Sequence, residues 1–300
     1  MSIHYNNDNT IIFTLARMNP PTPGHLLLIK QLINCAISKN VQKVYVILSK
    51  TNNNSNDPIP CLEKINVLGN ADDVTKTMIR SLKQIMIHET MDPVLQSKIE
   101  NINVITICVP EVKGATPFTP VTPIILGMSH IPDVNLFLII GNDRKEMLDS
   151  ITSFFFKFPN VNSVDGLILP REEMSVFKEI SKDPVKLHNL DISTVPINAI
   201  SASFVRNIVA NGRQDKFLEL YAPYLDEAKI EGLYGAILYG LTFPPEVKKD
   251  AKEKPLKYAY PMIKGISEFP IVKTGGTRRK RKRANRRRRT YKKRNNSRAH

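Results

Sequence analysis

The chain has 300 residues, 42% of them hydrophobic and 24% charged, with 43 Lys and Arg against 28 Asp and Glu and a formal net charge of +15. That length gives one large domain or two small ones an ample core. No apolar run approaches the roughly 18 residues of a membrane span, the first residues carry no basic-then-apolar leader pattern, and no Cys/His spacing suits a metal centre.

The net charge is unevenly held. Residues 276–300 contain ten Arg and four Lys and no acid, which leaves 29 basic against 28 acidic residues in the rest of the chain. The charge therefore belongs to a tail. With one aromatic (Tyr291) and no apolar period, the tail is expected to be disordered when free and to bind nucleic acid through phosphates, or to serve as an import signal.

In chain order, the first expected strand is Ile11–Leu15, followed by a turn of three prolines and a glycine and then a helix with the apolar face Leu26 to Ile33. His25 opens that helix. A helix start carries unpaired N–H groups and a partial positive charge, so it is a ready anion site. Arg17, Thr22 and His25 add a fixed charge, a hydroxyl and an imidazole to it.

A second strand is expected at Val44–Leu48, followed by a mobile asparagine loop (Asn52 to Asn54) and a helix start at Asp57 to Lys64, where Lys64 either reaches substrate or lies on a solvated surface. Residues 72–100 read as helical, longer than a crossover needs, and as an insertion shaping an acceptor pocket. Strand Val104–Val109 leads into a proline-rich stretch, Gly114 to Pro123, placed to gate a site. Strand Leu136–Ile140 ends in Gly141-Asn142-Asp143-Arg144, with a helix over Lys145–Phe156. The carboxyl edge of a parallel sheet binds ligands, which points to Asp143, although an N-cap role suits it equally.

Strand Gly166–Leu169, a helix first turn at Glu172 and Glu173, and a short strand Asp191–Pro196 come next. Ile200-Ser201-Ala202-Ser203-Phe204-Val205-Arg206 then forms a second helix start, in which Ser201 or Ser203 caps and Arg206 lies on the cap side. One or two helices fill Lys216–Tyr239, the longer beginning at Pro223 and ending just before Gly240, with a linker over 243–275. Strands alternating with helices predict a doubly wound α/β fold with a mostly parallel sheet of about five strands, C-terminal helices and a disordered basic tail, the domain covering 9–242. Cys35, Cys61 and Cys108, odd in number and widely spaced, are expected as free thiols in a reducing, intracellular compartment.

The string Ala16-Arg17-Met18-Asn19-Pro20-Pro21-Thr22-Pro23-Gly24-His25 resembles the Gly-Arg-Phe-x-Pro-x-(His/Thr)-x-Gly-His signature of the nucleotidyltransferase superfamily, which includes nicotinamide-nucleotide and phosphopantetheine adenylyltransferases and cytidylyltransferases. Arg17, Pro20, Thr22, Gly24 and His25 match; Ala16 replaces a glycine and Met18 a phenylalanine. Gly141-Asn142-Asp143 resembles the family's strand-end Gly-x-Asp, and residues 200–206 resemble its Ile-Ser-x-(Thr/Ser)-x-x-Arg motif, with Ser203 in the less usual alternative. The Pro60 to Lys64 segment echoes phage-like members. The Gly-Gly followed by a dense Arg/Lys tail resembles proteins of large DNA viruses of amoebae.

The resemblance implies transfer of a nucleoside monophosphate from ATP or CTP to a small phosphorylated acceptor, with Mg²⁺ carried mainly by the nucleotide phosphates. It implies that His25, Thr22 and Arg206 are catalytic and that Arg17, Gly24, Gly141, Asp143, Ser201 and Ser203 bind nucleotide. No P-loop and no Gly-x-Gly-x-x-Gly occurs, and no Lys-Met-Ser-Lys-Ser-like loop of a class I aminoacyl-tRNA synthetase is found. The competing expectation is a non-catalytic nucleic-acid-binding or virion protein on the same fold.

Overall fold

Seven consecutive buried residues, Thr10–Ala16, form β1, and burial on both faces puts this strand in the middle of the sheet. The computed structural model describes residues 5–50, 57–70, 73, 75–110, 116–170 and 175–243, without the side chains of Asp143, Ser175 and Lys178; all of them belong to the first of the chain's two units, Met1–Glu253. The expected mobile loop at 52–54, the helix turn at Glu172 and Glu173, the linker and the basic tail lie outside the described residues, as does part of the expected gating loop.

After β1 come α1 (Pro23–Ser38), β2 (Lys43–Leu48), α2 (Cys61–Leu68), α3 (Met78–Glu89), α4 (Pro93–Asn101) and β3 (Asn103–Cys108). Next are α5 (Thr122–Gly127), β4 (Val134–Gly141), α6 (Met147–Phe155) and β5 (Val161–Leu169). Helices complete the described chain: α7 (Ser175–Lys182), α8 (Pro184–Asn189), α9 (Ala202–Ala210), α10 (Gln214–Tyr221) and α11 (Glu227–Thr242). The five strands pair in parallel in the order β3-β2-β1-β4-β5, as a doubly wound α/β fold requires.

Alternation along β1 supplies both cores. Ile12 faces a layer built with Leu26, Ile29, Ile33, Val205, Ile208 and Ile237. Ile11, Phe13 and Leu15 face a second layer with Val121, Ile125, Ile151 and Phe155, where Phe13 meets the Phe155 ring edge-on at 5.7 Å. The strand order reverses between β1 and β4. There β1 pairs with β2 through Ala16 and Leu48, but with β4 only as far as Phe13 and Leu138. The two central strands therefore part toward their carboxyl ends, which is where open α/β sheets bind ligands.

Three expectations are corrected. Asp191–Pro196 is no strand: Asp191 Oδ1 accepts from Ser193 N, Thr194 Oγ1 donates to the Asp191 carbonyl, and the chain closes into a 3-10 turn, Ile192–Thr194. Short polar side chains bonding their own backbone outcompete pairing here. Helix α11 starts not at Pro223 but after Asp226, whose carboxylate caps Lys229 N, and it runs through Gly240. Gly240 lies against the next layer; a Cβ there would stand 2.1 Å from the Pro58 carbonyl oxygen.

The cysteines are the third correction. Cys61 and Cys108 form a disulfide, and only Cys35 is free, its thiol pushed up to about 11 by burial. Pairing of β2 with β3 sets Cys108 opposite Leu48, and α2 begins over that same strand end, bringing the two Cα atoms to 6.0 Å. A bridged pair does not support the expected reducing compartment. Among the described residues, no helix is long and apolar enough to cross a membrane. The bridge closes a loop with a sequence separation of 47, so its reduction should cost about 2–4 kcal/mol of stability. Urea unfolding before and after treatment with a phosphine, repeated on Cys61→Ser/Cys108→Ser, measures this.

Candidate active site

The signature turn leaves β1 at Ala16, and Met18 takes a positive φ of 43° before a cis Asn19-Pro20 bond. Thr22 is the N-cap of α1 and His25 its third residue. The Thr22 backbone N–H donates to His25 Nδ1 at 3.0 Å, and the Thr22 hydroxyl lies 2.9 Å from the same nitrogen. A backbone N–H can neither rotate away nor lose its proton, so Nδ1 must be an acceptor. The neutral ring therefore carries its proton on Nε2, as a donor.

Thr22 is fully buried, and its Oγ1 donates to the Ile200 carbonyl at 2.8 Å, across 178 residues of chain. Gly24 completes the contact: a Cβ there would stand 2.5 Å from the same Ile200 oxygen and 3.0 Å from that of Ile197. Glycine is required at this position because the start of α1 is pressed onto the segment that feeds α9. The Tyr221 hydroxyl donates to the Pro21 carbonyl at 2.5 Å, fixing the turn from below.

Ser201, the next residue, caps α9 by accepting from Phe204 N at 3.2 Å, and its hydroxyl lies 2.8 Å from that of Ser203. Of the two expected caps, Ser201 is the one used. Arg206, one turn further on and half-buried, donates to the Asn19 carbonyl at 2.6 Å. Burial lowers its pKa while nearby Asp57 supports its charge. Two helix starts, a histidine and an arginine thus share one hydrogen-bonded framework.

Asn19 also joins the site to the chain before α2: its amide donates to the Ile59 carbonyl (3.1 Å) and its Oδ1 accepts from Ile59 N (3.0 Å). Two residues earlier lies Asp57, only 3% exposed, with Oδ1 3.6 Å from Arg17 Nε. Lys64 is fully buried, contrary to the solvated alternative, and its Nζ donates to the Ser49 carbonyl at 3.0 Å. Burial lowers its pKa to about 8, against the supporting charge of Asp57. The signal was present in the sequence: Lys64 occupies the same helix face as Cys61, Val67 and Leu68, an apolar stripe with one charge in it.

At the end of β4, Gly141 has φ −71°, a conformation open to any residue, and the 3-10 turn Asn142–Arg144 follows at once. The Asp143 side chain lies outside the described residues. Arg144, which the motif reading passed over, donates to the Leu15 carbonyl at 2.9 Å, occupying part of the β1 edge that β4 no longer pairs. Arg17, Thr22, Gly24, His25, Ser201, Ser203 and Arg206 are thus gathered by hydrogen bonds and close contacts, and Gly141 ends the neighbouring strand. Among the described residues, no group of three or more His, Cys, Asp or Glu side chains could hold a metal ion. No family model and no curated protein matches this chain.

Lys64 makes stability depend on pH. Its folded pKa lies near 8, against 10.5 for a free lysine. Between those values the unfolded chain holds the proton that the folded protein has lost, so stability rises with pH. Lys64→Met should remove this rise, on the order of 3 kcal/mol at most. Urea unfolding of the wild type and the variant from pH 7.5 to 10, taken as a difference so that tyrosine ionisation cancels, checks it.

Proposed function

We propose that the crevice between β1 and β4 is a nucleotidyltransferase site, in which the start of α1 with His25 and the start of α9 with Arg206 bind a nucleoside triphosphate. The observation that carries this reading is the buried Thr22–Ile200 hydrogen bond, because it brings two helix starts and the signature histidine into one rigid frame. Helix starts and a guanidinium favour polyvalent phosphate over other ligands. The resemblance of residues 16–25 and 200–206 to the superfamily motifs gives the chemistry.

On this reading an oxygen of the acceptor phosphate attacks the α-phosphorus of ATP or CTP. A new P–O bond forms while the bond to the β-phosphate bridging oxygen breaks, and pyrophosphate leaves with that electron pair. Such a step depends on positioning and charge neutralisation rather than covalent help. His25 donates from Nε2 to an α- or β-phosphate oxygen, its tautomer set by the Thr22 N–H. Thr22 acts chiefly through that ring and through the clamp, since its hydroxyl proton is directed at Ile200. Arg206 and Arg17 neutralise the β- and γ-phosphates, with Ser201 and Ser203 beside them and Asp143 near the sugar or base. Mg²⁺ supplies further neutralisation when bound, and its ligands on this reading are phosphate oxygens and water.

The decisive assay is pyrophosphate release from each nucleoside triphosphate with Mg²⁺ and a panel of phosphorylated acceptors. His25→Ala should lower turnover by about 10²- to 10³-fold, the scale of one preorganised donor. Arg206→Ala should weaken triphosphate binding by roughly 1.5–3 kcal/mol, read by titration calorimetry. A wild type inert with every pair, yet binding nucleic acid, would favour the non-catalytic alternative.

The tail, with 14 of the 43 basic residues, is proposed to bind nucleic acid independently of the crevice. Removal of residues 276–300 should abolish salt-sensitive binding to a DNA or RNA duplex and leave transfer to small acceptors unchanged. Filter binding at two salt concentrations, alongside the pyrophosphate assay, checks both halves.

A further inference from the structure

Asp57 is a buried carboxylate set among cations. Arg17 Nε stands 3.6 Å from it, beyond hydrogen-bond reach, and the Arg17 side chain is 58% exposed. Lys64 and Arg206 both feel the carboxylate as a supporting charge, and both feel Arg17 as an opposing one. One cation thus contacts the carboxylate and two more feel its charge; Arg17 and Arg206 belong to the motifs proposed to hold phosphate.

The carboxylate is also the anchored member of the group. Two residues on, Ile59 is bonded to Asn19 through both its N–H and its carbonyl. Pro58 lies against Gly240, where not even a methyl group would fit. Lys64 is held to the Ser49 carbonyl and Arg206 to the Asn19 carbonyl. Among these three cations, Arg17 combines a long contact with exposure, which makes it the one able to leave.

We propose that Asp57 is a built-in counter-ion of the phosphate site: it pairs with Arg17 and competes with an incoming phosphate for that guanidinium. The idea rests on the triphosphate reading above and deepens it, since it adds an anion that limits ground-state affinity. Weak initial binding leaves more of the interaction with phosphate to develop in the transition state, which is the interaction that accelerates a reaction.

The test is calorimetric titration with tripolyphosphate in the absence of metal. Asp57→Asn, nearly isosteric, should bind about 3- to 10-fold more tightly than wild type, the scale of one partly screened charge at a few ångströms. Lys64→Met should bind more weakly, and the double variant should fall between them. If Asp57→Asn does not fold, comparison of Asp57→Asn/Lys64→Met with Lys64→Met gives the same contrast with the charges balanced.

A folded Asp57→Asn protein with unchanged or weaker affinity overturns the counter-ion role, while the triphosphate reading still stands on wild-type binding that Arg206→Ala weakens. Failure of the wild type to bind tripolyphosphate at all overturns both. Should Asp57→Asn lose affinity only for Mg²⁺-ATP, Asp57 is a metal ligand and the counter-ion role is wrong.

Discussion

The fully buried hydrogen bond from the Thr22 hydroxyl to the Ile200 carbonyl is the constraint on which the site depends. Either end without the other would leave a polar atom in the interior, at a cost of about 1–3 kcal/mol. The same threonine offers its N–H to His25 Nδ1, so one residue fixes both the distance between α1 and α9 and the protonation pattern of the imidazole. Gly24 lets the two backbones meet closely enough for that bond to form. Loss of the clamp would remove the bond that sets the spacing of the two helix starts.

The second feature is charge held where water is scarce. Lys64 and Asp57 are both buried, and Arg206 is half-buried. Burial of this kind is costly unless the charges are paired and hydrogen-bonded. The protein satisfies the condition in part with backbone carbonyls: Ser49 for Lys64, Asn19 for Arg206 and Leu15 for Arg144. Each of these acceptors lies at or just beyond the carboxyl end of β1 or β2. The basic side chains thereby cap the carboxyl ends of β1 and β2.

Much of the architecture was legible in the sequence because it rests on local pattern. The five strands, the helix opening at His25 and a serine cap on α9, at Ser201 or Ser203, follow from apolar runs and from residue types that satisfy orphan backbone groups. The rest departs from local pattern in two ways, through a competing polar turn and through contacts between distant segments. In Asp191–Pro196 the apolar residues suggest a strand, but the Asp191 side chain bonds its own backbone and closes a turn instead. The Cys61–Cys108 bridge has no sequence signal, because only the pairing of β2 with β3 brings its ends together. Gly24 carries its meaning in the approach to Ile200, a contact with no sequence signature. The burial of Lys64 is legible only from the whole face of α2, where it stands among Cys61, Val67 and Leu68.

The span of these contacts also bears on how the protein is made. The turn at Pro21 and Thr22 is complete only when it has met Ile200, 178 residues away, and the Tyr221 hydroxyl, 200 residues away. A ribosome delivers β1, α1 and β2 long before either partner exists. During that interval residues 16–25 are only a proline-rich connection between β1 and α1. Contacts so far apart in sequence form late because the intervening chain must first be ordered. The site is thus among the last parts of the domain to be assembled, and a chain broken off before residue 221 would contain the whole signature motif without the geometry that gives it meaning.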